Sequence, residues 1–563
     1  MKDEILKNFL GNFCEQNSFL DIDEDEQFEK FSNYNVISKL YPREINIDDL
    51  STGGGDDLGI DGAAIIVNGS IVTTEEEIDF LRKNNGTLDV VFALVQSKNS
   101  PRFKGEQIGN FVFGVKSLFD ESPSIPENEQ IKKLRKLKKK IYQHSIDFEV
   151  APLLKLYFVT AGEWKEPAQI TGKVERELSE LNQKNLFSNK VEIEFYDAER
   201  LKSSYRELSR KSVKEIPFSI QISLPDVSEN LNVRQSFIGC VSVKEYITLI
   251  TNDDNSLSKG LFYDNVRDYQ GKNKVNQEII KTLRDDNLQT LLPLLNNGIT
   301  IIAKKVDKVG TKLKLSDFQI VNGCQSSHII FDNRKIIKDD TNIIIKIIET
   351  NDQNVINNII RATNRQTEVK DEAFESLKPF HKDLEEYYKA KSNGYALPIY
   401  YERRSKEYIG HPQIKPFQVV TLAAQIKSYV SIILEQPQST HRYYGEILSS
   451  NSSRLFTANN RLDLYYISAL IVNRLETLFR LRKINKKLKD YKYHIAFSAY
   501  LIMTKRNKWD NAKIQSTVQA KEKILPIYLE SCELIKTIEK EIKLSTEDAI
   551  RSREFTLQLK SKI

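Results

Sequence analysis

A chain of 563 residues is longer than a single hydrophobic core supports, so two to four domains are expected. Hydrophobic residues at 40% and charged residues at 29% fit an ordinary globular protein, and no apolar run is long enough to span a membrane. A net charge of +5 permits nucleic-acid binding without arguing for it, and four dispersed cysteines without Cys-x-x-Cys spacing argue against a zinc or disulfide framework. With an N-terminus, Met1-Lys2-Asp3-Glu4, that lacks a basic-then-apolar leader, the expected location is a reducing cytoplasm with no membrane partner.

Up to about residue 205 the pattern is α/β. Residues Asp21–Glu29 are acidic, and apolar spacing at Phe28, Phe31, Tyr34 and Ile37 predicts an amphipathic helix. A glycine-rich stretch, Gly53 to Gly62 (GGGDDLGIDG), leads into the apolar run Ala63–Val67, and Asn68-Gly69 signals a hairpin turn. A strand is predicted over Leu88–Lys98, then helices over Gly105–Phe119 and Glu129–His144. A buried strand at Leu153–Thr160, a helix at Ala168–Leu181 and a strand at Val191–Tyr196 close the segment. The run Lys132–Lys140 (KKLRKLKKK) carries Leu134 and Leu137 on one stripe, so its cations form either a solvated helix face or a surface for phosphates.

Three polar residues stand out against this apolar framework. Asp61 sits at the mouth of a strand, after glycines that allow close approach of backbone and substrate. Gln96 and Lys98 are two apart at the end of the apolar run VVFALV, so their side chains share a face. Phosphodiester hydrolysis needs a divalent cation on oxygen ligands and a cationic group near the attacking water, and this set offers both. Asp-Gly turns and strand-end lysines also occur for purely structural reasons.

GIDG at Gly59–Gly62 and VQSK at Val95–Lys98, with the helix and strand order that follows, resemble the PD-(D/E)xK nuclease superfamily in its Mrr-like variant with Gln at the third position. The resemblance implies a restriction-endonuclease-like domain over residues 1–205 that binds Mg²⁺ or Mn²⁺. It makes Asp61 a metal ligand, puts Gln96 beside the metal and makes Lys98 the catalytic lysine. It also calls for a glutamate from the first helix, for which Glu29 is the best placed, ahead of Glu44 and Glu26; Asp56 and Asp57 are within reach in sequence. Glutamine in place of an acid weakens metal binding by one charge.

Residues 217–410 read as an α+β domain. Short β-like runs at Gly298–Ala303, Phe318–Val321 and Ile343–Ile348 alternate with helical stretches at Gln353–Ala362 and Asp371–Ala390. From 411 to 563 the pattern is mainly helical and rich in Leu, Ile, Tyr and Lys. Amides cluster at strand ends, at Asn296, Asn297, Asn322, Gln325 and Asn364, with Arg267, Arg361, Arg365, Arg403 and Arg404 in the same stretch. Such a set suits a nucleotide or base edge and its phosphates, or equally a network of turns bonded to backbone. Cys324 lacks a triad signature and reads as a core or turn cysteine, while His411, His441 and His494 have no metal spacing. Tyr465-Tyr466 and Tyr491–Tyr493 read as helix packing.

In order along the chain, Leu261–Leu283, NNGITIIA at Asn296–Ala303, IVNGCQS at Ile320–Ser326, RATNRQ at Arg361–Gln366 and Tyr401-Glu402-Arg403-Arg404 resemble the AIPR family, named for abortive-infection phage resistance. This second resemblance implies a bacterial defence role and fixes no reaction. Joined to the nuclease resemblance, it leads to the expectation of an antiphage effector whose nuclease domain cuts nucleic acid, DNA ahead of RNA, while the AIPR region binds the target, a nucleotide or a phage-derived trigger. The competing reading is a nucleic-acid-binding regulator or nucleotide sensor whose nuclease-like domain does not turn over. A homodimer would suit cutting of both strands, since one site cuts one strand, although no motif specifies it.

Overall fold

Apolar tracts in the first 200 residues meet in one five-stranded sheet. The computed structural model describes the chain except residues 1–2, 42–44, 124, 149, 166, 210–212, 226–231, 253–254, 256, 263–273, 365–374, 376–377, 393–396, 404–407, 409–410 and 412. The side chains of 209, 259, 274–276, 353–354, 357, 361, 364 and 521 also lie outside that description. The chain divides into two compact units, residues 1–9, 28–73 and 81–373 in one and 10–27, 74–80 and 374–563 in the other.

The first part of the chain runs α1 (Glu4–Asn17), α2 (Glu24–Leu40), a short α3 (Ile47–Leu50), β1 (Gly62–Val67), β2 (Ser70–Ile71), α4 (Glu75–Asn85) and β3 (Val90–Lys98). It continues through α5 (Gly105–Phe119), α6 (Glu129–Gln143), β4 (Leu153–Thr160), α7 (Ala168–Gln183), β5 (Ile193–Tyr196) and α8 (Ala198–Ser209). The sheet order is β2-β1-β3-β4-β5, with β1 antiparallel to β2 and β3, and with β3, β4 and β5 parallel. Asn68 and Gly69 both take positive φ, 48° and 76°, the geometry a tight hairpin requires. All six residues of β1 are buried, which is why its sequence GAAIIV does not alternate.

A second sheet has six strands: β6 (Val213–Pro217), β7 (Ile220–Ser223), β8 (Val233–Ser242), β9 (Ile299–Val309), β10 (Lys312–Asn322) and β11 (Asn342–Thr350). They lie in the order β6-β10-β9-β11-β8-β7, and β9 with β11 is the parallel pair. Helices α9 (Val243–Ile250), α10 (Lys274–Arg284), α11 (Leu292–Leu295), α12 (Cys324–Asp332) and α13 (Gln353–Asn364) accompany it. The runs predicted at Phe318–Val321 and Ile343–Ile348 are portions of β10 and β11, and the one at Gly298–Ala303 enters β9 at Ile299.

The second unit is mainly helical, with one two-stranded parallel sheet (Tyr400–Glu402 beside Val419–Thr421), and is centred on the helix Leu462–Arg480, whose Tyr465, Tyr466, Leu470 and Leu475 are fully buried. Arg474 on that helix is buried too, and its guanidinium donates to Asn473 Oδ1, Gln519 Oε1 and the Leu397 carbonyl. Tyr465 stacks on Tyr429 at 3.8 Å, so these tyrosines pack the helical core, as expected. Among the described residues no helix is long and apolar enough to cross a membrane.

Candidate functional site

Asp61 is the residue before β1, and its N–H donates to the Val95 carbonyl at 2.8 Å. That bond starts the antiparallel β1–β3 ladder, in which Gly62 faces Val95, and it delivers the Asp61 side chain to the end of β3. Asp61 Oδ2 accepts from Gln96 Nε2 at 2.8 Å, from the Ser97 N–H at 2.7 Å and from Ser97 Oγ and Lys98 Nζ, both at 3.4 Å. The structure therefore brings together the three residues predicted to form a centre. Ser97, between Gln96 and Lys98 on β3, contributes chiefly through its backbone N–H.

The carboxylate is almost wholly buried, while 35% of the Lys98 side chain is exposed. Burial pushes the Asp61 carboxyl above its usual range, and Lys98 and the Ser97 N–H pull it partly back. Asp57 is raised for the same reason, with the Gly59 N–H and Lys98 opposing. Lys98 thus faces two carboxyls from a position that reaches solvent.

The loop before Asp61 is a built structure. Asp56, Leu58 and Gly59 have φ of 60°, 58° and 65°, and Asp57 Oδ1 accepts from the Gly59 N–H at 2.8 Å. Asn128, the N-cap of α6, fastens the loop from outside. Its Nδ2 donates to the carbonyls of Thr52 at 3.0 Å and Gly55 at 3.3 Å, its N–H donates to the Asp56 carbonyl at 2.9 Å, and its Oδ1 caps α6 through the Ile131 N–H. Thr52 adds an N–H bond to the Asp61 carbonyl at 3.3 Å, and Asn33 Nδ2 reaches the same carbonyl at 3.2 Å from α2. A Cβ on Gly62 would overlap the Asn33 amide at 2.1 Å, so glycine lets α2 come this close. The sequence reading missed Asn33 and Asn128; the Asn-Glu-Gln start of α6 was the available signal for the latter, as an N-cap. Asn128→Ala should cost about 1–2 kcal/mol for the lost cap. It should also loosen residues 52–57, read as faster amide exchange there in hydrogen–deuterium exchange.

The oxygen donors at hand are Asp61, Asp57 and the Gln96 amide, hard ligands of the kind Mg²⁺ accepts. Among the described residues no three His, Cys, Asp or Glu side chains gather into a metal-binding group. An ion held here would therefore keep several positions for water or ligand oxygens. Glu29 on α2 brings Oε2 to 3.4 Å from where a Cβ on Gly53 would stand, so it faces the glycine loop, one helical turn before Asn33. Glu26 pairs with Arg482 and, at 3.1 Å, with Lys486 in the second unit, and Glu44 lies outside the described residues.

Part of the basic run on α6 is structural. Arg135 pairs with Glu127 and donates to the carbonyls of Ser117, Leu118 and Asp120, and Lys138 donates to those of Leu118 and Asp120 at 3.0 Å. Together they close the C-terminal end of α5. Burial, with Arg135 beside it, pushes Lys138 down to about 8. Lys132, Lys133, Lys136 and Lys139 keep exposed side chains.

In the middle region, Asn296–Gly298 and Asn322–Gln325 meet at one end of β9 and β10. Asn296 donates to Ser326 Oγ at 2.9 Å and accepts from the Gly298 N–H, and Asn322 Oδ1 accepts from the Gly323 N–H at 2.9 Å. These amides bond turns, while Asn297 is exposed and Gln325 is partly so. Cys324 is buried at the start of α12, as a core cysteine. Arg403, expected at a phosphate, is instead half of a buried ion pair with Glu385 at 2.7 Å in the second unit. Burial pushes the Glu385 carboxyl up, and the Arg403 and Lys389 hydrogen bonds more than reverse it, holding it at about 2. Arg267, Arg365 and Arg404, and the side chains of Arg361 and Asn364, lie outside the described residues.

No curated protein and no solved structure matches the chain. Residues 262–550, more than half of the chain, match the family model described as AIPR protein, and the protein belongs to that family.

Proposed function

We propose that this AIPR protein acts in antiphage defence of the abortive-infection type, and that its first unit carries a divalent-metal-dependent nuclease of the PD-(D/E)xK kind. The observation that supports the nuclease reading is the sharing of one Asp61 oxygen by the Gln96 amide and the Lys98 ammonium at the rim of a mixed sheet. Mg²⁺ or Mn²⁺, held by Asp61 with Gln96 and Asp57 as further oxygen donors, would polarise a phosphate and help generate hydroxide. Gln96 and the Ser97 N–H hold Asp61 in position. Lys98, the partly exposed member, orients the attacking water and stabilises charge as the P–O bond breaks. On this reading the AIPR region binds the target, DNA ahead of RNA, or a nucleotide or phage-derived trigger.

A second reading, a nuclease-like domain that grips nucleic acid without turnover, draws support from the lack of a three-residue metal group among the described residues. Incubating the protein with single- and double-stranded DNA and RNA in Mg²⁺ or Mn²⁺, beside Lys98→Ala, separates the two. Cleavage that Lys98→Ala removes supports the nuclease; binding without cleavage under either metal supports the grip.

Metal binding should also be pH-dependent. Because burial raises both Asp61 and Asp57, the metal-free protein favours their protonated forms above the ordinary Asp value, and a cation must displace those protons. The thermal shift given by Mn²⁺ should therefore grow as pH rises from about 4, near the ordinary Asp value, to about 8. A shift unchanged over that range would place the ion elsewhere.

A further inference from the structure

We infer that Trp164, stacked on Phe195, is a platform for an unpaired base of a single-stranded nucleic acid lying beside the Asp61–Lys98 site. The inference rests on the nuclease reading of that site and names its substrate class. Strands β3, β4 and β5 are parallel, so Lys98, Thr160 and Tyr196 finish at one edge of the sheet. In register, Gln96 faces Phe158 and Phe158 faces Phe195, which sets all three on one face of the sheet. With neighbouring strands about 4.8 Å apart, Phe195 stands roughly 10 Å from Gln96 along that row.

The Trp164 and Phe195 rings are near parallel, 15° apart, with centroids at 3.8 Å. Phe103 supports them edge-on, at 4.7 Å from Trp164 and 5.8 Å from Phe195, and itself leans on the fully buried Phe158. The stack is therefore rooted in the core and ends in a partly exposed indole. The Trp164 backbone is tied to Asp197 Oδ2 at 3.3 Å, which fixes the loop that carries the ring. Exposed Arg102 and Lys104 flank Phe103, and the nearby Glu163 and Glu194 are paired with Lys165 and Arg200. A rigid aromatic stack with cations beside it matches what an unpaired base and its phosphates require, and the Asp197 carboxylate next to it is engaged by the Trp164 and Arg200 N–H groups. A duplex keeps its base faces inside the helix, so the platform selects single strands or unpaired ends.

The chain contains two tryptophans, so Trp509→Phe leaves Trp164 as the lone indole reporter. In EDTA, an oligonucleotide of about 12 nucleotides, a length within the site sizes of single-strand binders, should quench that emission, and the matching duplex should not. Trp164→Ala should weaken single-strand binding roughly 5- to 100-fold, and Trp164→Phe should retain most of it. Circular dichroism of both variants guards against misfolding. The platform is overturned by an unquenched reporter, by equal quenching from duplex, or by full affinity in folded Trp164→Ala. Cleavage that needs Lys98 but shows no Trp164 effect would sink the platform and leave the nuclease standing. Quenching without cleavage under any divalent metal would sink the nuclease and leave the platform standing.

Discussion

Asp61→Asn should abolish metal-dependent cleavage while making the metal-free protein more stable at neutral pH. Asparagine keeps the size and one acceptor oxygen, so the Ser97 N–H retains a partner and the β1–β3 ladder should persist. It removes the charge that a cation needs, and the loss of rate should be at least about 100-fold, the scale for removing one preorganised charge-stabilising group. The stability sign follows from burial. Asp61 is raised above its ordinary value, so the folded chain holds a proton there more tightly than the unfolded chain does. Stability is then lost as pH climbs from the ordinary Asp range through the raised value, and an uncharged residue escapes that loss. Thermal midpoints of the two proteins in EDTA, taken from about pH 4 to pH 8, should diverge as pH rises, with the variant above. A variant that melts lower at pH 8 would mean that the Asp61 charge is structural, held by Gln96, Ser97 and Lys98 for the fold.

How much of this was legible in the sequence depends on the range over which each cause acts. Asp61, Gln96 and Lys98 were legible because polar residues bounding a continuous apolar run mark where a buried strand emerges, and antiparallel pairing of β1 with β3 then brings them together. The helices α5 and α6 and the strand β4 were legible in the same way, through strong apolar periodicity. Strands β6 to β8 were not. β7 reads IQIS, with Ile220 and Ile222 exposed, and β8 buries only Phe237 and Val241 among partly buried polar and apolar residues, so neither shows a continuous apolar alternation. Helices α4 and α8 are mostly polar in sequence, so tertiary packing rather than propensity decides them, whereas α1 did carry a helical signal, its buried Leu6, Leu10, Phe13 and Cys14 at i, i+4, i+7 and i+8. The double role of the α6 basic run was hidden for another reason. Arg135 and Lys138 meet carbonyls 15 to 20 residues earlier in the chain, and only the folded turn between α5 and α6 reveals that meeting.

Two glycines on one helix should respond in opposite directions to the same substitution. Alanine in a helix interior ordinarily gains about 0.5–1 kcal/mol over glycine, chiefly by restricting the unfolded chain. At Gly109 a new Cβ would meet only the flexible end of Lys173, 3.3 Å from its Nζ, so Gly109→Ala should show that gain. At Gly114 the new Cβ would lie 1.7 Å from the Leu58 carbonyl oxygen and 2.7 Å from the carbonyl carbon. Both are backbone atoms of a buried residue already held at φ 58°, so the helix or the loop must move. Gly114→Ala should therefore lose about 2–3 kcal/mol, the scale of an overpacked core. Leu58 stands between Asp57 and Gly59 in the loop that ends at Asp61, so the displacement should carry into the site. Cleavage and the Mn²⁺ thermal shift should fall together in Gly114→Ala and stay intact in Gly109→Ala. Chemical denaturation of the pair checks the sign, and a stabilised Gly114→Ala would show that α5 does not seat the loop.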